Sequence, residues 1–251
     1  FTGRPATDAS CGNDVVFGSV DRVSLDGTSR FGGPVTAITG AAEGNDLGGC
    51  KDTLLGTLKV NRSVISNTEA GVVTTMKGGA QVDINFNEFL SNVIAVFLID
   101  TNQNTTISTN SFTGDDAVGV AYFGVVVLTS AVDAPAATRV VVHNNDFMLQ
   151  STSGVSSIGV TTQQPGMIAN ISTAIIKNRF ELNANATVGF FSLDTSNTVV
   201  ATNRFGGFGD SAIWVGGDSP VSGVLVSSNT GLSGFNAVSG FDIVFRGNTS
   251  R

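Results

Sequence analysis

Short runs in which apolar and polar residues alternate recur along most of this chain, and five of them lead into the triplet Asn-x-Phe. The five triplets begin at Asn87, Asn110, Asn145, Asn178 and Asn203. Ile84 and Val82 stand three and five residues before Asn87, and apolar or β-branched residues take the same two places before every other triplet. A period of two over so short a run is typical of a β-strand with one buried face. The pattern therefore predicts a series of short, half-buried strands.

Weaker copies of the unit lack the Phe, and the first of them also has Arg62 at the place five residues before the Asn. They begin at Asn67, Asn229 and Asn248. With these included, neighbouring units are 19 to 35 residues apart. A single unit of that length cannot bury its apolar face alone, so the units are expected to stack into one continuous core. The Asn is expected to end each strand, because its short amide tolerates the left-handed backbone conformation and bonds locally to the backbone.

This repeat resembles the right-handed parallel β-helix superfamily, also called pectin-lyase-like, which pectate lyases, polygalacturonases and phage tailspikes typify. The resemblance covers about residues 54–251. It implies inward stacks of Val, Ile and Phe and a ladder of Asn amides from coil to coil at a tight turn. We therefore predict an all-β fold, a single-stranded right-handed parallel β-helix of about eight or nine coils. Such a fold by itself leaves the function open.

Residues 1–53 lack the triplet and are rich in Gly and Pro turns. We expect them to form an irregular, β-rich N-terminal cap or arm that covers the end of the helix domain at 54–251, since an uncovered coil exposes unpaired backbone. The longest apolar run is Ala117–Leu128. It is shorter than the roughly 20 residues that span a bilayer, so no membrane span is expected. We predict instead two buried strands joined at Gly124.

Composition narrows the environment and the partners. Charged residues make up 13% of the chain and 31 residues are Gly, which suits a solenoid turned by Gly and Asn. The net charge is −7, so nucleic acid and anionic membranes are not expected as partners.

The chain begins at Phe1 without a signal sequence, which suggests a processed extracellular protein. Cys11 and Cys50 are candidates for a disulfide, and free buried cysteines are the alternative.

Five Asn-x-Ser/Thr sequons are candidates for glycosylation if the protein is secreted by a eukaryote. They begin at Asn61, Asn104, Asn170, Asn185 and Asn248. We expect glycans on those that lie in surface loops.

Candidate catalytic groups are few. Asp115 and Asp116 follow Gly114 and resemble the consecutive-aspartate motif of polygalacturonases, but that family's Asn-Thr-Asp, Gly-His-Gly and Arg-Ile-Lys segments are missing. These two residues and Asp146 would supply the acid and base of a polysaccharide-active lyase or glycosidase. The alternative is that Gly-Asp-Asp forms an ordinary turn without a catalytic role. His143, the single histidine, has no nucleophile motif around it and is expected at the surface.

No metal or cofactor is predicted. A Ca²⁺ site needs several carboxylates. On the face where the repeat places a group of basic side chains, Asp146 is the only carboxylate. Those cations are Lys177, Arg179 and Arg204.

Two further features are candidates for contact with a polymer, and each has a purely structural alternative. The residues between Asn and Phe should form one outward row, which is either a solvated charge ladder or a polar stripe that contacts a polymer. They are Glu88, Ser111, Asp146, Arg179 and Arg204, continued by Thr230. Trp214, the single tryptophan, is a candidate for stacking on a glycan, and its alternative is a packed residue.

The leading prediction for function is an extracellular structural or adhesive surface protein, with end-to-end assembly of copies into a fibre as one form of it. No catalytic centre is evident from the sequence. The alternatives are a polysaccharide-active β-helix enzyme and a non-catalytic module that binds glycans. The expected partners are therefore other copies of the chain or a polysaccharide.

Overall fold

The structure is a computed structural model that describes residues 14–27, 36–40, 54–74, 81–99, 104–114, 121–128, 138–152, 154–163, 171–184, 186–193, 197–216, 223–232, 235–237 and 243–250. These residues form twenty-six strands in three parallel sheets and no helix. Sheet 1 consists of β1 (Asp14–Asp21), β4 (Leu54–Asn61), β7 (Gln81–Asn85), β10 (Asn104–Ser108), β13 (Thr138–His143), β16 (Ile171–Ile176), β19 (Thr198–Ala201), β22 (Val224–Ser227) and β25 (Ile243–Arg246). Sheet 2 consists of β2 (Ser24–Asp26), β5 (Val64–Ser66), β8 (Glu88–Leu90), β11 (Ser111–Gly114), β14 (Asp146–Leu149), β17 (Arg179–Asn183), β20 (Arg204–Phe208), β23 (Thr230–Leu232) and β26 (Thr249–Ser250). Sheet 3 consists of β3 (Thr36–Gly40), β6 (Ala70–Thr74), β9 (Ile94–Ile99), β12 (Tyr122–Leu128), β15 (Ser157–Gln163), β18 (Thr187–Leu193), β21 (Ser211–Gly216) and β24 (Phe235–Ala237).

Each turn of the chain contributes one strand to each sheet in the order sheet 1, sheet 2, sheet 3. Coil 1 thus holds β1, β2 and β3, and coil 9 holds β25 and β26. Strands of successive coils pair in parallel, as β10 does with β7 on one side and β13 on the other. This arrangement confirms the predicted all-β parallel β-helix.

The solenoid begins earlier than the sequence repeat. β1 pairs with β4 over eight residues, from Asp14 opposite Leu54 to Asp21 opposite Asn61. β2 and β3 pair with β5 and β6 in the same way. Residues 14–27 and 36–40 are therefore coil 1, whereas the triplet placed the first coil at residue 54. The triplet missed this coil because Val23 and Leu25 occupy the places that Asn and Phe take in later coils. The cap expected from the rest of 1–53 lies outside the described residues.

A column of five phenylalanine rings fills one side of the core. Neighbouring rings along the axis are stacked with centroids 4.6 to 4.9 Å apart and planes within 9° of parallel. All five are buried. They are Phe89, Phe112, Phe147, Phe180 and Phe205. The Phe of the triplet therefore points inward, as predicted.

A column of small residues on sheet 3 lies against this phenylalanine stack. It includes Gly71, Gly124, Gly159 and Gly189. A Cβ on Gly159 would lie 2.7 Å from Cε1 of Phe180 and 2.7 Å from the carbonyl oxygen of Gly189. Gly124 lies inside the single strand β12, so the prediction of two strands joined there was wrong. The glycine is needed for the ring of Phe147, whose Cε1 would be 2.9 Å from an added Cβ.

Replacing Gly159 by Ala is expected to lower the free energy of unfolding by about 1 to 3 kcal/mol, because the strands and ring must move apart to admit a methyl group. Equilibrium urea denaturation measures the change. Gly206→Ala is the matched control, since a Cβ there would first meet the flexible carboxylate of Glu181. Equal losses in the two variants would contradict the proposed close packing.

The corner between sheet 1 and sheet 2 repeats one backbone conformation in all nine coils. One residue per coil has a φ between 47° and 62°. These residues are Arg22, Arg62, Phe86, Thr109, Asn144, Lys177, Thr202, Ser228 and Gly247. In each triplet coil this residue precedes the Asn, so the expectation that the Asn itself takes the left-handed conformation was wrong. Such a conformation costs a non-glycine residue on the order of 1 kcal/mol, which the surrounding ladder must offset.

The asparagines form a continuous amide ladder immediately after that corner. The backbone N–H and the side-chain Nδ2 of Asn145 both donate to Oδ1 of Asn178 at 3.0 Å, and Nδ2 also donates to the carbonyl oxygen of Ile107 at 2.9 Å. The same bonds repeat along the axis through Asn87, Asn110, Asn145, Asn178, Asn203, Asn229 and Asn248. This ladder is the one that the family resemblance implied.

Asn67 is not a member of the ladder. The ladder position in coil 2 is Ser63, whose backbone N–H donates to Oδ1 of Asn87 at 3.0 Å. Asn67 lies at the next corner, where its φ is 54° and its Nδ2 donates to Oδ1 of Asp26 at 3.0 Å. Its spacing from Asn87 imitated the repeat, but strand pairing places it four residues out of register.

Candidate functional site

The three outer faces of the solenoid differ in charge. The strands of sheet 3 contain no charged residue within their bounds, while strands of sheets 1 and 2 do. Sheet 2 carries most of its charge in one row along the axis. Chemistry that needs charged groups on a described strand is therefore confined to sheets 1 and 2.

The predicted outward row is present on sheet 2. One exposed side chain per coil stands at the same register position from coil 3 to coil 8. We call this row the polar stripe, and it consists of Glu88, Ser111, Asp146, Arg179, Arg204 and Thr230. Parallel strands lie about 4.8 Å apart, so the stripe presents hydrogen-bonding groups at that interval. Its charge changes from acidic at coils 3 and 5 to basic at coils 6 and 7.

A shallow depression interrupts the polar stripe at coils 4 to 6. It is lined by Ser111, Asp146, Phe147, Met148, Arg179 and Glu181. Nη2 of Arg179 lies 3.5 Å from Oε2 of Glu181, which forms an ion pair within the rim. The side chain of Met148 is 46% exposed and supplies an apolar surface beside these charges. The depression can therefore accept and donate hydrogen bonds and also pack against a C–H surface.

Met148 and Glu181 were not among the residues that sequence analysis selected. Both stand two positions after a stripe residue on the same strand, Met148 after Asp146 and Glu181 after Arg179. Side chains two residues apart on a strand share a face, so period-two alternation could have placed Met148 and Glu181 on the outer face beside the stripe.

The described residues include one of the three candidate catalytic carboxylates. Asp146 lies on the polar stripe, and Asp115 and Asp116 lie outside the described residues. His143 is on the outer side of sheet 1, where its Nδ1 is 3.0 Å from Nδ2 of Asn144. Across the described ranges, no three His, Cys, Asp or Glu side chains come together as a metal site would require. The acid–base set of an enzyme stays a prediction.

Trp214 lies on sheet 3, on a different face from the polar stripe. Its ring stacks on that of Phe191 in the preceding coil, with centroids 4.4 Å apart and planes 8° from parallel. One face of the indole is therefore covered by this neighbour. Stacking of a glycan on Trp214 would have to use its other face or its edge.

The remaining candidate sites are partly outside the described residues. Asn170, Asn185, Cys11 and Cys50 are not described. Asn104 is exposed at the start of β10, and Asn61 is half-buried at the end of β4.

Asn248 is the sequon residue that belongs to the amide ladder. Its Nδ2 donates to the carbonyl oxygen of Val226 at 2.9 Å. A glycan on Asn248 would have to be accommodated at that ladder amide.

Tyr122 is a buried titratable group away from the polar stripe. Burial raises the pKa of its hydroxyl, which keeps the phenol neutral. The hydroxyl has no hydrogen-bond partner among the described residues, and an added Cβ on Gly114 would meet the Tyr122 ring. Tyr122 therefore serves packing inside the solenoid.

Comparison of the chain with protein-family models, with curated proteins and with solved structures gives no match. The described residues also contain no helix of the length and apolarity needed to cross a membrane. The surfaces of this solenoid are therefore the basis of the proposed function.

Proposed function

We propose that this chain is an extracellular structural and adhesive protein whose rigid solenoid holds an extended acidic polysaccharide along the polar stripe. The observation that supports this proposal is the in-register row of exposed hydrogen-bonding side chains on sheet 2. A polysaccharide repeats its hydroxyl and carboxylate groups along its length. A surface that repeats donors and acceptors at a fixed interval can contact such a polymer at many points at once.

The basic half of the stripe favours an anionic polymer. Arg179 and Arg204 stand side by side on adjacent strands, and both are exposed. Like charges directly opposite each other in a sheet repel, so a carboxylate placed between them relieves that repulsion. A guanidinium also binds carboxylates in a two-pronged geometry that an amine cannot reproduce. Among the described residues, Arg204 makes no ion pair that would compete with the ligand.

The depression supplies the remaining contacts. Met148 offers an apolar surface to the C–H face of a sugar ring, and Ser111 and Asp146 lie beside it to bond hydroxyl groups. Because these groups belong to strands of a continuous ladder, the backbone positions from which they project are set before binding. Such preorganisation reduces the entropy lost on association.

The combined substitution of Arg179 and Arg204 by Ala is expected to weaken binding to a soluble polyuronate at least tenfold. Isothermal titration calorimetry at low salt measures the affinity, and dextran serves as the neutral polymer. Arg139→Ala is the control, since it removes an exposed arginine from β13 of sheet 1. Binding should also fall as salt rises, because exposed charges are screened. Equal binding of dextran and polyuronate, or an equal loss in the control, would count against the polar stripe.

The polysaccharide-active alternative predicts a different outcome in the same solutions. A lyase or glycosidase would cleave the bound polymer and release new chain ends, and the change of Asp115 and Asp116 to Asn would abolish that release. Binding without cleavage supports the adhesive function.

A second form of the structural function is end-to-end assembly. Phe245 is 45% exposed and Val244 is 50% exposed on β25. Phe245 stands in register with the buried Val226 of the preceding coil. A further coil stacked on β25, from a second copy or from more of the same polypeptide, would bury Phe245. Negative-stain electron microscopy of the natural protein tests this form: regular filaments would support it, and discrete short rods would contradict it.

A further inference from the structure

We propose that the outer face of sheet 3 is a surface through which two copies of this chain associate side by side. This face is separate from the polar stripe, so association through it does not depend on polysaccharide binding. Three observations support such association: the charge content of sheet 3, the apolar row along its outside, and the size of the face.

Sheet 3 is set apart by its complete lack of charged residues. All eight of its strands, from β3 to β24, are free of Asp, Glu, Lys, Arg and His. The strands of sheets 1 and 2 carry charged residues such as Lys59, Asp83, Glu88 and Arg179. The whole chain has a net charge of −7, so two copies repel each other at long range. Sheet 3 is the face on which they can meet without bringing charged strand residues together.

The outer side of sheet 3 carries an apolar row along the axis. Its members stand in register on successive coils. They are Val73, Phe97, Val126, Thr161, Phe191 and Trp214. Apart from the buried Thr161, each is half-buried by its neighbours in the ladder and keeps part of its surface in solvent. Leu128 and Leu193 lie two residues further along their strands on the same side, and both are half-buried as well.

The two aromatic residues at one end of the row are already fixed. Phe191 and Trp214 hold each other with ring centroids 4.4 Å apart. Ordering them against a partner therefore costs little additional side-chain entropy. Aromatic side chains are enriched in protein interfaces and often dominate the binding energy.

The size of this face matches what a stable pair of proteins requires. The six strands that carry the row, about 4.8 Å apart, give a length of about 29 Å, and strands of about six residues give a width of about 20 Å. This footprint is about 580 Å² on each copy and about 1,160 Å² for the pair, which exceeds the roughly 1,000 Å² that a specific interface needs. Two such faces related by a twofold axis would pack as two sheets about 10 Å apart.

Introducing a charge into the row should separate the copies. We expect the wild-type chain to sediment as a dimer in analytical ultracentrifugation and the variant Val126→Lys to sediment as a monomer, with a dissociation constant at least tenfold higher. Val141→Lys is the matched control, because Val141 is also half-buried at the middle of a strand but lies on sheet 1. That control should remain dimeric. Circular dichroism and thermal melting establish that both variants are folded.

A second measurement needs no substitution. Trp214 is the single tryptophan of the chain and lies on the proposed interface. Acrylamide should quench its fluorescence less efficiently as protein concentration rises through the dissociation constant, because the partner face covers the ring. A dimer whose tryptophan quenching does not change with concentration would place the interface elsewhere.

Three outcomes overturn the proposal. A wild-type chain that stays monomeric at every concentration removes it. A dimer that survives Val126→Lys but is lost in Val141→Lys assigns association to sheet 1. Protection of Trp214 by a soluble polysaccharide, in a chain that remains monomeric, would make sheet 3 a glycan-binding face instead.

Discussion

Replacing Phe147 by Ala is expected to lower the free energy of unfolding by about 3 to 5 kcal/mol, as deletion of a buried aromatic side chain does. Phe147 is stacked between Phe112 and Phe180, with ring centroids 4.6 and 4.7 Å away. Its ring also lies against Gly124 of sheet 3. The truncated side chain therefore leaves a cavity that three rigid strands border, and these strands cannot collapse into it without breaking ladder bonds. Urea denaturation followed by circular dichroism measures the change.

Phe208→Ala is the matched control for Phe147→Ala. Phe208 lies on β20 of the same sheet, but its side chain is 63% exposed. Its removal should change the free energy of unfolding by less than about 0.5 kcal/mol, as surface substitutions generally do. If Phe147→Ala lowers the free energy of unfolding no more than this control does, the buried stack of phenylalanine rings does not stabilise the fold as predicted.

Replacing Asn145 by Ala is expected to lower the free energy of unfolding by about 2 to 5 kcal/mol, because each buried group left without a partner costs about 1 to 3 kcal/mol. The substitution removes the donor to the carbonyl oxygen of Ile107. It also removes the acceptor of two bonds from Asn110, one from its backbone N–H at 2.9 Å and one from its Nδ2 at 3.0 Å. The loss in stability is again measured by urea denaturation.

The ladder also predicts coupling between neighbours. Asn145 and Asn178 share one side-chain bond of 3.0 Å, so the double substitution by Ala should cost less than the sum of the two single substitutions. Asn183→Ala is the control, since Asn183 is exposed on β17 and its removal should have little effect. Strict additivity of Asn145 and Asn178 would mean that the amides act independently and that the ladder is not cooperative.

The asparagine and phenylalanine columns fix where the residues of the polar stripe stand. From Glu88 to Arg204, each stripe residue has a ladder asparagine directly before it and a phenylalanine of the stack directly after it, as Asn145 and Phe147 flank Asp146. The two inward side chains therefore hold the outward one at a fixed place on the axis. A stripe residue is positioned by its neighbours in sequence, and the interval between stripe residues is set by strand pairing.

The parallel β-helix and the inside–outside assignment of the triplet were predictable from sequence. Period-two alternation decides which side chains of a strand share a face, and burial of apolar side chains decides which face is inward. As a direct consequence, the five triplet phenylalanines from Phe89 to Phe205 are buried. The residues that precede them in the triplets, from Glu88 to Arg204, are exposed. A repeated unit that cannot bury its apolar face alone must stack, so the solenoid itself also followed.

Register was predictable for the complete triplets and for the incomplete copies at Asn229 and Asn248, which also join the ladder, but not in coils 1 and 2. Asn67 has the spacing of a ladder residue, yet pairing of Val64 with Glu88 places Ser63 at that position instead. Coil 1 was missed altogether, because it has Val23 and Leu25 at the positions where the later coils have the recognisable Asn and Phe. In both cases hydrogen bonding between coils sets the register, and that pairing joins residues 24 or more positions apart in the sequence.

The sequence by itself therefore determined the strands, the buried columns and the outward polar stripe, because these depend on side-chain alternation within a few residues. Only the tertiary structure decided which strands share a sheet. It placed Asp146, His143 and Trp214 on three different faces, and it gathered the uncharged strands of chain segments far apart into sheet 3. The reason is physical: a face of a solenoid is made of one strand from every coil, so its character depends on how the coils are aligned and not on any single stretch of chain.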